Sequence, residues 1–238
     1  MKPIFTAILM TCVLYGCGPL GQLKKTDAQI PFIGAIGKHS SVFFTKNFQK
    51  VGEPTLGEPI PITIQSLPLS SSMATKYNRY ENQRGKEPLF NKKDTITVQT
   101  RYFQAQISDA ISLTNQLNHP NNRKVKEYLQ NDKDLLILTS ISFITDIETE
   151  QRIRTAEHSF VDEIDGALTL VLQNGRIKTQ INLSSLQVFD FETSGLCWKK
   201  DKRNQLQIAA ILVTGNSCPG KTEKDSNKLA IKRSHLKL

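Results

Sequence analysis

The sequence predicts a mainly β protein, an antiparallel sandwich or curled sheet of about eight to ten strands with one inserted pair of short helices. Two observations predict this class. Several short segments alternate apolar with polar residues, which is the period of a half-buried strand, and turn residues separate them. Helix caps followed by helical spacing occur together only around residues 108–131. Strands therefore do not alternate with long helices, which argues against an α/β fold.

The N-terminal part of the domain carries few predicted strands. Short apolar runs at 30–33 and 41–44 begin the ordered sequence. Glycines and prolines within 52–61 exclude a helix and predict a loop or an edge strand. Residues 60–67 alternate and predict a strand. Residues 69–93 are polar with scattered aromatic residues, and we expect a long exposed loop, a kind of segment that is often functional.

The middle of the chain carries the predicted helical pair. Residues 94–107 alternate and predict one long strand. The Ser-Asp pair at 108–109 can cap a helix that ends at 118–120, and the two asparagines at 121–122 can cap a second one. The first of these helices carries the apolar residues Ile111, Leu113 and Leu117, and the second is expected to have Val125, Tyr128 and Leu129 on one side.

The remaining predicted strands follow one another with short turns. They cover 134–145, 152–161, 167–172, 176–183, 186–191 and 206–213, with a short strand at 197–198. The first of these is rich in β-branched residues and is predicted to be central. Asn174-Gly175 predicts a hairpin, because both central residues of a type I′ turn need a positive φ.

The first 17 residues predict a processing signal that ends at Cys17. Lys2 is followed by an apolar run over 4–14, which is shorter than the roughly 20 residues that a membrane-spanning helix needs. Gly16 then precedes Cys17 directly. This ending resembles the lipobox of bacterial lipoproteins, although Tyr15 stands where that pattern carries a small residue. The alternative is an ordinary secretory signal or anchor with an incidental cysteine.

The resemblance implies a cellular location for the protein. A lipobox cysteine receives a diacylglycerol on its thiol, the signal is cut before it, and the new amino group is often acylated, so palmitate at Cys17 is expected. Two or more acyl chains hold a protein stably on a membrane. Gly18 stands where lipoproteins retained on the inner membrane carry Asp, and 18–25 lacks an acidic cluster. We therefore expect the cell envelope, on the outer membrane and facing the periplasm.

The predicted organisation has four parts. Residues 1–16 are the signal peptide, 17–30 the lipidated cysteine and a tether, 31–220 a single β-rich domain, and 221–238 a basic, disordered tail. Without its signal the chain has 222 residues, with 30 basic and 22 acidic side chains and a net charge of +8. The tail alone carries six basic and two acidic residues. Such a balance favours contact with anionic surfaces.

Two cysteines remain for a disulfide. Cys197 and Cys218 are 21 residues apart, and disulfides persist in exported compartments. A bridge would stabilise the fold by about 3 kcal/mol on the chain-entropy model. The alternative is a pair of buried free thiols. Two cysteines outside C-x-x-C spacing and four scattered histidines do not predict a metal site, and no cofactor is expected.

Catalytic motifs are missing from the sequence. There is no G-x-S-x-G elbow, H-E-x-x-H pair, glycine-rich phosphate loop or S-x-x-K. The acidic groups at 146–150 and 162–165 predict solvated turns, since they lack the spacing of a calcium loop. Glu157 and Ser159 flank His158 in a predicted strand and so face the opposite side from it. A non-enzymatic protein is therefore the favoured interpretation.

One group of residues is a candidate ligand contact. Tyr77, Arg79, Tyr80 and Arg84 place aromatic rings among cations in the segment 69–93. Such a mixture can stack on sugars while it neutralises phosphates, which would suit a glycan or lipopolysaccharide. The alternative is a solvated loop with ordinary aromatic residues.

Two functions from different classes fit these observations. The first is a membrane-anchored, non-enzymatic envelope lipoprotein whose β-rich domain docks onto an envelope protein. The second is a glycan- or lipopolysaccharide-binding module, or a hydrolase of envelope glycan. The expected partners are the membrane through the lipid anchor, an envelope protein, and anionic lipid or glycan, but not nucleic acid. A deep pocket lined by carboxylates and aromatic rings would favour the second function, and an exposed sheet edge the first.

Overall fold

A computed structural model describes most of the predicted β-rich domain. The described residues are 32–42, 45–87, 100–213, 215 and 217–230. The chain separates into two compact units, residues 1–30 and 31–238, and every described residue belongs to the second. The predicted signal, Cys17, the tether and the last eight residues of the predicted tail lie outside the described residues.

Strands and helices of the described residues are as follows. The strands are β1 (Ile36–Val42), β2 (Thr45–Gly52), β3 (Ile60–Pro68), β4 (Arg101–Ile107), β5 (Leu136–Ile144), β6 (His158–Ile164), β7 (Ala167–Asn174), β8 (Ile177–Ile181), β9 (Gln187–Ser194), β10 (Leu196–Lys200) and β11 (Leu206–Ile211). The helices are α1 (Ser71–Gln83), α2 (Ala110–Asn118), α3 (Arg123–Asn131), α4 (Ile147–Thr155) and α5 (Ser226–Ala230).

The strands confirm the predicted mainly β class. Nine of those described form one sheet. Eight of them pair in the order β2-β1-β5-β4-β3-β6-β7-β8, and the ninth, β9, also pairs with β5. A second sheet consists of β10 and β11. Each of the pairings is antiparallel. None of the described helices is long and apolar enough to cross a membrane.

The predicted central strand is the centre of the core. β5 pairs with β9 along one edge and with β1 and β4 along the other. Ile137, Leu138, Ile141 and Phe143 have no exposed surface, which shows that both faces of this strand are covered. The apolar residues of this strand are interrupted by Thr139, Ser140 and Ser142, which are also buried.

The hairpin turns differ from the prediction. β7 and β8 are joined by Gly175 and Arg176, with Asn174 paired to Ile177, so the turn lies one residue later than predicted. Gly175 has a φ of +58°, and Arg176 does not have a positive φ. This is the pattern of a type II′ turn, which takes glycine at its first central position. The type I′ pattern instead occurs at 165–166, where the Asp-Gly pair has φ values of +53° and +77° and joins β6 to β7.

Most of the predicted loop at 69–93 is the helix α1. Ser70 caps it by accepting a hydrogen bond from the backbone N–H of Met73 at 3.3 Å. Ala74 and Tyr77 are three residues apart and face the core, and this pair was too small an apolar signal to predict a helix. The prediction of an exposed loop is therefore wrong over 71–83, and residues 88–93 lie outside the described part of the chain.

A second helix replaces the start of a predicted strand. α4 covers the beginning of the segment 152–161, and β6 begins only at His158. Asp146 caps α4 by accepting a hydrogen bond from Thr149 N–H at 2.8 Å, which lowers the pKa of its carboxyl group. Pairs four residues apart then support the helix, with Arg152 donating to Glu148 at 2.5 Å. The predicted strand at 152–161 is therefore wrong over its first four residues, which belong to α4.

The predicted helical pair is present as α2 and α3. Asp109 caps α2 by accepting a hydrogen bond from Ser112 N–H at 2.8 Å, and Leu113, Leu117 and Leu129 are buried in the core. Tyr128 was predicted on one side of its helix with Val125 and Leu129, but 66% of its surface is exposed. Ile111, an apolar residue of α2, is 75% exposed. It lies two residues before Leu113, about 200° around the helix, and therefore points away from the core.

The segment predicted to be a disordered tail is packed where the structure describes it. Glu223 exchanges backbone hydrogen bonds with Trp198, at 2.7 and 3.0 Å. Ser226 is buried and donates to the carbonyl oxygen of Gln130 at 2.8 Å, and Leu229 packs against the core. The described domain therefore continues past 220, as far as Ala230.

The predicted disulfide is present. Cys197 on β10 is bonded to Cys218, and their Cα atoms are 5.6 Å apart, within the usual range for a bridge. Cys197 is fully buried. The bridge joins the small sheet to the segment that leads into α5.

Candidate docking groove

Three of the four candidate ligand residues lie on α1, Arg84 directly follows it, and one of the four is a core residue. Tyr77 is only 3% exposed, and its hydroxyl donates to Gln187 Oε1 at 2.8 Å. Its ring lies perpendicular to that of Phe189, at a centroid distance of 5.4 Å. Burial raises the pKa of Tyr77 to about 12. The ring is therefore part of the fold and has no face for a ligand.

The other three candidates are spread over the surface of the helix. Tyr80 is half-buried, and the Arg84 guanidinium lies 5.3 Å from its ring centroid while donating to its hydroxyl at 2.9 Å. Burial raises the pKa of Tyr80, and the Arg84 charge opposes this change. Arg79 is exposed. The structure thus brings Tyr80 and Arg84 together, and the Arg84 guanidinium already covers the ring of Tyr80.

A buried carboxylate reduces the positive charge of this helix. Glu81 is 3% exposed, with Arg84 Nη1 at 3.7 Å and Lys86 Nζ at 3.6 Å from its oxygens. Within the described part of the chain, its Oε1 atom accepts no hydrogen bond. The candidate cation Arg84 and the neighbouring Lys86 are therefore close to an internal negative charge.

Two other acidic residues noted in the sequence analysis accept hydrogen bonds from distant backbone N–H groups. Glu163 accepts a hydrogen bond from Leu56 N–H at 2.7 Å, and Glu157 accepts one from Gly175 N–H at 3.0 Å. His158 is exposed at the start of β6. No group of three or more His, Cys, Asp or Glu residues with the geometry of a metal site occurs among the described residues.

A shallow polar depression of about 340 Å³ lies beside β9. His39 Nε2 and Thr193 Oγ1 are 2.6 Å apart there, and the hydroxyls of Thr139 and Ser194 are 2.9 Å apart. A hydroxyl beside an imidazole is one requirement of nucleophilic catalysis. Here the imidazole also stacks on Phe191, at a centroid distance of 5.8 Å, so the contact ties β1 to β9.

A larger groove of about 610 Å³ runs between α2 and β11. The lining residues are Ala110, Ile111, Thr114, Asn115, Asn118, His119 and Pro120 on the helix side, and Lys199 and Gln207 to Ile211 on the sheet side. None of these described residues is a carboxylate, a tyrosine, a phenylalanine or a tryptophan. A pair of carboxylates for glycoside hydrolysis is therefore not provided by this groove.

One wall of the groove is the outer edge of the small sheet. Trp198 on β10 pairs with Ile208 on β11, and Trp198 directs its own backbone bonds toward Glu223. Asn118 meets the outer edge of β11. Its Oδ1 accepts from Ile208 N–H at 3.0 Å, and its Nδ2 donates to the Ile208 carbonyl at 2.8 Å. The side-chain amide thus makes the two bonds that a residue of a neighbouring strand would make.

Small side chains leave the strand edge accessible beyond Asn118. Ala209 and Ala210 are half-buried, and Ala110 faces them across the groove. The register shifts between Cys197 and Trp198, so Ala209 has no partner in β10. A bulged residue of this kind leaves the ladder locally unpaired. Ile111 is the large exposed apolar side chain of the rim.

The sheet side of the rim is basic. Lys199 lines the groove, and the hairpin beyond it carries Lys202 and Arg203, both exposed. Within the part of the chain that the structure describes, none of these three cations forms an ion pair. The nearby carboxylate of Asp201 accepts hydrogen bonds from the backbone N–H of Arg203 at 2.9 Å and of Gln205 at 2.7 Å. This carboxylate is therefore engaged within the turn.

Sequence reasoning did not select the groove residues. In the sequence, Asn118 indicates only a helix stop, and Ile111 is only one of the apolar residues of the predicted helix. The spacing of Ile111 from Leu113 was sufficient to place Ile111 outside, because about 200° of rotation separates them. The contact of Asn118 with Ile208 joins residues 90 positions apart, and local sequence patterns contain no information about such a contact.

The fold and the groove define an antiparallel β domain in which the Asn118 side chain covers part of the outer edge of β11. Comparisons with protein-family models, with curated proteins and with solved structures each find no match to this chain.

Proposed function

We propose that this protein is a lipid-anchored envelope protein whose β-rich domain docks onto another envelope component through the groove between α2 and β11. The observation that carries the docking function is the outer edge of β11, where the Asn118 amide makes the two bonds of a strand partner to Ile208. An accessible strand edge beside a helix is a recurrent way to bind a partner chain, because main-chain hydrogen bonds supply affinity.

The anchor part of the proposal rests on the sequence. Gly16 and Cys17 follow an apolar run that is too short to span a bilayer. Acylation of Cys17 would hold the domain at a membrane surface. With Gly18 after the cysteine, the outer membrane facing the periplasm is the expected location.

Groove chemistry supports docking over the glycan-directed alternative. Sugar sites rely on aromatic faces and hydrolytic sites on paired carboxylates, and the described lining residues provide neither. The candidate ligand residues on α1 give little support to that alternative, since Tyr77 is buried and Arg84 covers Tyr80.

Site-specific photo-crosslinking in intact cells tests the proposal. A photoreactive amino acid replaces Ile111 on the groove rim or, as a matched control, Ile177 on β8, which is 71% exposed and outside the groove lining. We expect a discrete crosslinked protein adduct from position 111 in the membrane fraction and none from position 177.

Three outcomes would contradict the proposal. Equal adducts from both positions would indicate nonspecific contact, and no adduct from position 111 would remove the groove as a docking site. A carbohydrate-containing adduct from position 111 would favour the glycan-directed alternative.

A further inference from the structure

We infer that the groove binds an extended acidic peptide segment, which adds to β11 as a third strand and displaces the Asn118 amide from Ile208. The inference rests on the proposed docking function and names the chemistry of the partner. It combines three features of the groove: a strand edge that bonds to a side chain instead of another strand, small apolar side chains, and a basic rim.

The strand edge supplies the main-chain register. Ile208 directs both backbone polar groups toward α2, and a side-chain amide satisfies them in the free domain. Ala209, the next residue, has no partner in β10. An incoming strand can make the same two bonds to Ile208 and continue along the following residues, so it replaces one polar contact and adds others.

Side chains along the groove determine which face of the peptide is bound. In an extended chain every second side chain points the same way. Ala110 and Ala210 leave room for compact apolar side chains on that face, and Ile111 can pack against them from the rim. The other peptide face remains in water. The preferred segment therefore alternates β-branched with polar residues.

The charge of the groove rim indicates the charge of the segment that it binds. Lys199 lies in the groove, with Lys202 and Arg203 on the adjoining hairpin, and the described lining residues include no carboxylate. The side chain of Asp201 is engaged with the turn. Acidic residues flanking the strand would meet this rim, which favours association and suppresses basic partners.

A peptide-binding experiment on the purified mature protein in detergent tests the inference. The probe is a fluorescent decapeptide of alternating valine and threonine with two glutamates at each end. One control peptide has lysines at both ends, and another carries N-methyl groups on the central amides. We expect the acidic peptide to bind at least tenfold more tightly than the lysine peptide and to weaken as salt is added, since salt screens the exposed charges. N-methylation should abolish binding.

Matched variants localise the binding. Lys199→Glu should weaken the acidic peptide at least fivefold, whereas Lys178→Glu on β8, an exposed lysine outside the groove, should not change it. Asn118→Ala should bind as tightly as the parent or more tightly, because the peptide no longer displaces the amide. Hydrogen exchange should show new protection within 206–211 on peptide addition.

The outcomes separate this inference from the proposed function. Equal binding of the acidic and lysine peptides, or binding that survives N-methylation, overturns the acidic-strand inference. If no peptide binds but position 111 still crosslinks to a protein in cells, docking stands and the strand-addition inference is wrong. If both experiments fail, both proposals fall.

Discussion

Two asparagines of the helical region act on distant backbone in the same way. Asn118 pairs with Ile208, and Asn122 accepts from Thr55 N–H and donates to the Thr55 carbonyl, both at 2.7 Å. Asn122 is 1% exposed, and its Nδ2 also donates to the Gln116 carbonyl at 2.8 Å. Each amide thus satisfies the backbone N–H and carbonyl of one distant residue on a side where no strand bonds to that residue. Removing such an amide leaves polar groups unpaired, which costs more than the loss of an exposed bond.

Substitution of Asn118 by alanine should therefore destabilise the domain. We expect a loss of about 1–3 kcal/mol, because Ile208 retains an unpaired N–H and carbonyl against α2. Equilibrium urea unfolding measures this change. The control is Asn115→Ala, an exposed position on the same helix, where a change within about 0.5 kcal/mol is expected. Equal effects at both positions would contradict a specific role for Asn118.

Burial of the Tyr77 hydroxyl should give the domain an alkaline limit. Burial raises its pKa to about 12, above the ordinary value of 10.0, so the folded state holds the proton more tightly than the unfolded state. Its contribution is complete below about pH 10 and is lost as the pH rises from 10 toward 12. We expect Tyr77→Phe to lessen the fall in unfolding free energy over that interval, measured by urea unfolding at several pH values. An unchanged slope would show that Tyr77 does not titrate with unfolding.

Among the elements, the small sheet depends on long-range bonds. β10 and β11 are two short strands, and two-stranded sheets have little stability alone. Trp198 anchors them in the core, the Cys197–Cys218 bridge ties them to the following segment, and Glu223 adds a backbone bridge. The groove wall is therefore held by contacts that bring the C-terminal segment back onto the domain.

Loss of the disulfide should weaken this wall. The bridge closes a loop of 21 residues, and a double Cys197→Ala, Cys218→Ala variant should lose about 3 kcal/mol of unfolding free energy. Thermal melting with and without a reducing agent measures the effect. Reduction should lower the melting temperature of the parent protein but not that of the double variant, and equal sensitivity of the two would contradict the assignment.

Elements were predictable where one face or both faces are apolar. β3, β5 and the pair α2–α3 follow directly from alternation, from richness in β-branched and apolar residues, and from helix caps. α1 was missed because its buried face includes Glu81 and few apolar residues, and α4 because ion pairs on its surface stabilise it. Local patterns record burial and caps, and they do not record the polar contacts that depend on the assembled fold.

The same limit applies to the candidate site. The disulfide followed from the count of cysteines and the expected compartment. The groove depends on Asn118, Ile208 and Lys199, which are remote in sequence and are brought together by the position of α2 on β11. Tyr77 and Arg84 are close in sequence and looked like a ligand group, but the helix places one inside and stacks the other on Tyr80.

At the scale of the whole molecule, the net charge and the proposed lipid anchor both affect how close the domain lies to a membrane surface. The mature chain has a predicted net charge of +8, and cations of the groove rim belong to this excess. A lipid anchor would confine the domain near anionic headgroups, where each exposed lysine or arginine near the surface contributes about 1 kcal/mol of attraction. An acidic partner segment would compete with that surface for the same rim. Docking is therefore expected to be sensitive to salt.

Lipidation of Cys17 is the prediction on which this arrangement depends. We expect the protein to incorporate labelled palmitate in cells, and its precursor to accumulate when the lipoprotein signal peptidase is inhibited. Cys17→Ser should abolish labelling and release the chain from membranes washed with high salt, because one uncut apolar segment of this length does not span a bilayer. Cys12→Ser provides the matched control, since that cysteine lies within the apolar run and should leave labelling unchanged. Labelling that survives Cys17→Ser, or is lost with Cys12→Ser, would contradict the assignment of Cys17 as the lipidated residue.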